Sequence, residues 1–303
     1  MEKRRRAGQD IRSARKFYLF VSPWLIVFVL FTIVPMAFSL VMSFTSAKIT
    51  TLTTKPLEFL GFENFVRIFT EDTRFLKAIR NTLIYSAARV FFGTLFALLF
   101  ALLLNAQIPG RKAFRTLIYL PAVIPIVGAT LLWKLMIFQD HNIVNYLLGL
   151  FGIDSVDFLS PSKALGTVVA INIWSGVGPS MLIILAGLQN VPKELTEAAQ
   201  LDGAGAFVRF RRIVLPILSS TLFFVLITGM IGAFQVYAEV ELLTGSMSAT
   251  VTMAMLVVDN AFALDAYGIG YASAQGWFIF ALTLVFTGIF FAVSKKKVYY
   301  ADR

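Results

Sequence analysis

The chain contains no cysteine and one histidine, His141. The first absence excludes disulfides, thiolate metal sites and cysteine nucleophiles. The second leaves no histidine pair for a metal centre or an acid–base relay. Charge is also scarce: 15% of the 303 residues are charged, against roughly a quarter in a soluble domain. No G-x-x-x-x-G-K-[ST] sequence occurs, so a phosphate loop for ATP is missing. Internal repeats, low-complexity linkers and paired carboxylates at helical spacing within an apolar stretch are missing too, which argues against a stand-alone secondary transporter.

Apolar surface is what the chain has in excess: 58% of residues are hydrophobic and the mean hydropathy is +0.78. Six stretches reach the roughly 20 apolar residues that a membrane span requires: 17–44, 82–106, 115–138, 164–189, 217–243 and 270–294. The first is too long for a signal peptide and has no small-residue cleavage site, so it reads as a retained anchor. The expected fold is an all-α integral membrane protein with six transmembrane helices: a basic tail over 1–16 and one membrane domain over 17–303.

The net charge of +10 follows the topology and does not call for nucleic acid. Bases predominate in the N-terminal tail, stand without one acid in the loop holding Arg111, Lys112 and Arg115, and recur as the C-terminal Lys295, Lys296 and Lys297. Lys193, Arg209, Arg211 and Arg212 follow the fourth stretch, whereas Glu239 and Glu241 at the end of the fifth, and Asp259 and Asp265 after it, have no base among them. Excess Lys and Arg stay inside, which puts both termini in the cytoplasm, as an even number of spans requires. Residues 61–81 read as an amphipathic interfacial helix leading into the second stretch, and 142–153 as a shorter one. Arg89, read near the outer end of the second stretch, either snorkels or pairs inside the bundle.

One segment breaks the apolar pattern: ELTEAAQLDGAGAFVRFRRIVLP, within an elbow over 190–216. Pro192 suits a helix start, and Glu194 and Glu197 sit near its positive end. The helix runs through Ala198 and Ala199 to Asp202, and Gly203 supplies the left-handed residue that stops it. A second short basic helix holding Arg209 then leads to Pro216, which opens the fifth span.

The order Glu197-Ala198-Ala199, then Gly203, then Ile213-x-Leu215-Pro216 resembles the "EAA" signature of permease subunits of ATP-binding-cassette importers. The rest of the chain is similar to the carbohydrate, maltose-type branch of that family. The likeness is carried by Gly61-Phe62-Glu63-Asn64, Leu120-Pro121, Asn172-x-Trp174-x-Gly176, Ala186-Gly187-Leu188-Gln189, Leu243-Thr244-Gly245 and Gly270-Tyr271-Ala272-Ser273-Ala274. It departs where Ser246 follows Thr244-Gly245, since the family often continues Gly-Gly-Pro.

The resemblance implies a type I importer permease fold in the cytoplasmic membrane of a prokaryote. Its partners would be a second permease, two ATPase subunits, an extracellular solute-binding protein, membrane lipid and a carbohydrate. The chain would carry no catalytic residues, metal or cofactor, because ATP and Mg belong to the ATPase. It also implies that the elbow is a coupling helix, with Glu194, Glu197, Ala198, Ala199, Asp202, Gly203 and Arg209 facing the ATPase. Asn172, Trp174, Ser175 and Gly176 would line the solute path, as polar residues within a span suggest independently. Phe234, Gln235, Tyr237 and Glu239 are the fifth-span candidates. Ser175 and Gln235 either line the path or hydrogen-bond neighbouring helices. An ATP-independent secondary transporter and a glycerol-phosphate-type importer are the alternatives.

Overall fold

The computed structural model describes residues 17–48, 56–106, 108–138, 142–245, 247–262 and 267–297. The basic tail 1–16, His141, Ser246, Asp265 and the C-terminal residues after 297 lie outside these, as do the side chains of Lys295, Lys296 and Lys297.

Among the described residues the regular elements are helices, with one isolated antiparallel bridge between Thr45 and Phe59. We number them α1 (Phe17–Met42), α2 (Glu63–Thr70), α3 (Thr73–Asn105), α4 (Arg111–Val123), α5 (Ile126–Ile137) and α6 (Ile143–Leu150). There follow α7 (Ala164–Gln189), α8 (Lys193–Leu201), α9 (Ala206–Phe234), α10 (Ala238–Thr244), α11 (Met253–Phe262) and α12 (Ile269–Lys297). Five of them, α1, α3, α7, α9 and α12, are long and apolar enough to cross a membrane. A sixth span exists only if α4 and α5, bent by 97° to one another, count as one.

Three expected spans therefore differ from the helices that form. The second starts at Thr73, not 82, because the Asp72 carboxylate accepts the Phe75 N–H at 2.8 Å and caps the helix. Arg74, Lys77 and Arg80 lie in its first turns and hide that start from a hydropathy reading. The same cap divides 61–81 into α2 and the beginning of α3. The third breaks at Pro125: the residue before a proline is pushed out of the helical region, and Ile124 has ψ 128°. The fifth, expected over 217–243, runs from Ala206 to Phe234. Pro216 does not open it. A π-turn over Phe210–Val214 precedes this proline, which cannot donate to the carbonyl four residues back. The second half of the expected elbow is thus the first turns of α9.

The chain divides into two compact units, one made of residues up to Val66 with Asn260–Trp277, the other of Arg67–Asp259 with Phe278 onward. In the first, buried Asn64 holds the exit from α1 by donating its amide to the Ser43 and Thr45 carbonyls, both at 2.9 Å. Gly61, with φ 56°, makes the turn that brings Asn64 there. A side chain at Gly270 would collide with the Thr45 carbonyl, and the Gly270 N–H donates to Ala47 O at 2.9 Å.

The second unit is built on α3, α7 and α9. Apolar tails solvate an isolated helix as well as a neighbouring helix does, so association relies on close packing and small residues. Ala97 and Ala101 of α3 meet Met181, Ile184 and Leu185 of α7, with Leu218 and Val225 of α9 completing the buried cluster. Gly178 lets α7 touch the α4 backbone, for a methyl there would stand 2.7 Å from the Ile118 carbonyl oxygen. Gly187 does the same against α9: its methyl would lie 2.6 Å from Thr221 Oγ1 and 2.8 Å from Leu218 Cδ1.

Gly178→Ala should cost about 1–3 kcal/mol through overpacking against backbone. Gly166→Ala in the same helix, where nothing lies within 4 Å, should be neutral or stabilising. Melting temperatures of the purified variants separate the two.

Candidate functional site

Two places in the second unit bring the predicted residues together. The first is the elbow. Pro192 occupies the N-cap of α8 with ψ 126°, one residue earlier than a first-turn position. At the other end the Ala204 N–H donates to Ala199 O at 2.9 Å and the Gly203 N–H to Gln200 O at 3.1 Å. With Gly203 at φ 81° this is a Schellman stop. The signature spacing has a physical meaning: Ala199 is the carbonyl that the stop uses, and the glycine four residues on is its left-handed residue. The Arg209 guanidinium donates to Gln200 Oε1, tying α9 back to α8.

The outer side of α8 points away from the chain, while Lys193, Thr196 and Arg209 line the side towards the bundle. Glu194, Glu197, Ala198 and Asp202 are exposed, and no carboxylate among them forms an ion pair within the described residues. Leu201 is 89% exposed and Phe207 73%. Exposed apolar side chains interleaved with unpaired acids make a surface suited to a protein partner.

The second place lies deep in the bundle. Because α3 begins at Thr73, Arg89 stands midway between its ends and not near one, about 24 Å from either at 1.5 Å per residue. A guanidinium at that depth is costly unless paired. Nη1 donates to the Gly229 carbonyl of α9 at 3.0 Å, and Gly176 of α7 faces it: a methyl there would sit 3.3 Å from Nη2. Gly176 and Gly229 are therefore the clearance for Arg89. Asn172, buried, donates to Glu239 Oε1 at 3.1 Å, and Ser175 Oγ donates to the Asn172 carbonyl at 3.2 Å. Trp174 is 36% exposed and meets Trp133 of α5 edge-on at 5.5 Å. Lys134, beside Trp133, donates to the Leu242 carbonyl of α10 at 2.6 Å.

The span-five candidates separate. α9 ends at Phe234, and Gln235 to Tyr237 form a break before α10. Glu239 joins Asn172, whereas Phe234 is fully buried against Phe286 at 5.2 Å. Gln235 is exposed and Tyr237 half-buried. The break is held by Thr252 Oγ1, which donates to Val236 O at 2.8 Å. Trp133 escaped the sequence reading because within the expected third span nothing sets it apart from its apolar neighbours. Edge-on pairing and the reach to α10 arise only when α5 turns away from α4. The space beside Arg89 is about 20 Å³, room for a water and not for a sugar ring. Among the described residues no three His, Asp or Glu side chains gather as a metal set.

Arg89→Ala should cost about 1–3 kcal/mol through lost hydrogen bonding, read as a lower melting temperature of the purified protein. Glu239→Gln keeps the acceptor for Asn172 and should cost much less.

The chain was compared with known proteins. The family model described as "Binding-protein-dependent transport system inner membrane component" matches residues 90–299. The chain is 35% identical to the probable ABC transporter permease protein YesP of Bacillus subtilis (strain 168), over 98% of its own length and 97% of that protein. It is 32% identical to the trehalose/maltose transport system permease protein MalF of Thermococcus litoralis, over 94% and 96%. A chain of a bacterial alginate ABC transporter, crystallised with its alginate pentasaccharide-bound periplasmic protein, superposes with a TM-score of 0.81 at 28% identity, covering 95% of this chain and 96% of that one.

Proposed function

The chain belongs to the binding-protein-dependent transport system inner membrane components, and on that premise we propose that it is one of two permease subunits of an ATP-driven carbohydrate importer. The observation that carries the reading is the elbow: an ordered, outward-facing helix with unpaired Glu194 and Glu197, stopped by Gly203. It docks on a cytoplasmic ATPase subunit, which supplies ATP hydrolysis and Mg. Both termini are then cytoplasmic, α4 and α5 together form the sixth span, and a periplasmic or extracellular binding protein delivers the solute.

Asn172 and Trp174 face the solute, with Ser175, Gly176 and Glu239 around them. An aromatic face beside amide and carboxylate groups is chemistry suited to a sugar ring. Arg89 adds the one guanidinium at mid-span depth in α3, which favours a saccharide that bears a carboxylate. Trehalose/maltose and alginate, in the names of two relatives, support a saccharide as the solute. The narrow space at Arg89 belongs to a closed state of this subunit. Its partner permease completes the path, and the pair alternates access as the ATPases close and open.

ATP-driven uptake in proteoliposomes holding the complete transporter tests this. A β-branched residue at φ 81° is strained by about 1–2 kcal/mol, so Gly203→Val should lower uptake and solute-stimulated ATP hydrolysis about tenfold. Gly203→Asn, which tolerates that conformation, should keep most of both. Uptake that persists without the ATPase, or is indifferent to Gly203→Val, overturns the reading. A binding protein that takes sn-glycerol 3-phosphate and no sugar overturns the solute class alone.

A further inference from the structure

A cavity of about 900 Å³ lies between the elbow and the bundle, where α3 and α7 end and α9 begins. Three bases stand on its wall, Arg111, Lys193 and Arg209, and no carboxylate does. Arg111 and Lys193 are also the first residues of α4 and α8, and neither start has a side-chain cap. Free N–H groups and the positive ends of two helix dipoles therefore add to the side-chain charge. The remaining wall is apolar, with Leu102, Leu188 and Val214.

We propose that this cavity binds the headgroup of an anionic glycerophospholipid, its phosphate against Arg111 and Lys193 and its glycerol and first acyl carbons along Leu102, Leu188 and Val214. Size decides against a free phosphate, which would leave most of the space empty. Depth decides in favour of a lipid: long apolar helices end and start at this level, which is where headgroups lie. Basic pockets between membrane helices select anionic headgroups. The lipid bridges Lys193 of the elbow to Arg111 of the bundle, so it stiffens the elbow against the helices it joins. Only that mechanical consequence rests on the coupling reading; the site does not.

The test is native mass spectrometry of the full chain, purified with the subunits that accompany it, against phosphatidylglycerol, phosphatidylcholine and inorganic phosphate. One phosphatidylglycerol per chain should be retained in preference to phosphatidylcholine, and Arg111→Gln with Lys193→Gln should weaken that retention about tenfold. Should the double variant not fold, Arg111→Gln alone should lose lipid while Arg111→Lys keeps it. Equal retention of both lipids, equal retention by wild type and variant, or binding of inorganic phosphate only overturns the proposal. Lipid retention is read without transport, so the failure of either reading leaves the other standing.

Discussion

The contact on which the second unit depends is the approach of α7 to α9 at Gly187. No side chain fits there, since even a methyl would come within 2.6 Å of the Thr221 hydroxyl oxygen and 2.8 Å of Leu218. Lipid gives helices no hydrophobic reason to associate, so contacts this close are what hold them. The consequence concerns the elbow. α8 connects the end of α7, where Gly187 packs on the Thr221 and Leu218 side chains midway along α9, to the first turns of α9, and its Schellman stop and the Arg209–Gln200 bond fix it there. On the proposed coupling, a push on α8 would pass into α7 and α9 and not into a loop.

α7 carries that push towards the polar cleft. Asn172 lies about 26 Å from the end of α7 at 1.5 Å per residue, and one proline, Pro179, lies between them. Pro179 cannot donate to the Ser175 carbonyl, so the helix is weakest within two turns of Asn172 and Trp174. Arg89 and Glu239 meet α7 on the cleft side of that point, through Gly176 and Asn172. Bending at Pro179 would alter both contacts together. The space at Arg89 is about 20 Å³ with these contacts made.

Much of this was legible in the sequence, for reasons that now have a geometry. The spacing from Ala199 to Gly203 is the spacing of a Schellman stop, which is why it reads clearly without a structure. Asn64 and Gly270 belong to short motifs that carry the resemblance, and each holds a backbone turn. Less legible were features where charge or proline overrides hydropathy. Arg74, Lys77 and Arg80 conceal the first turns of α3, and that error alone moved Arg89 from the middle of a helix to its end. Pro216 reads as a helix start because nothing in sequence announces a π-turn. Trp133 and Lys134 acquire their partners only through the bend at Pro125, a tertiary event that local pattern does not encode.

The central claim is that α8 is a docking surface for a separate ATPase, and the absence of cysteine makes it directly testable. A single Ala198→Cys variant, in membranes that contain the whole transporter, presents the only thiol on this chain. The account predicts disulfide or bifunctional cross-linking of that thiol to the ATPase subunit, with a yield that changes when ATP is added. Cross-linking absent from the ATPase under every nucleotide condition, in a transporter that still hydrolyses ATP, would contradict it.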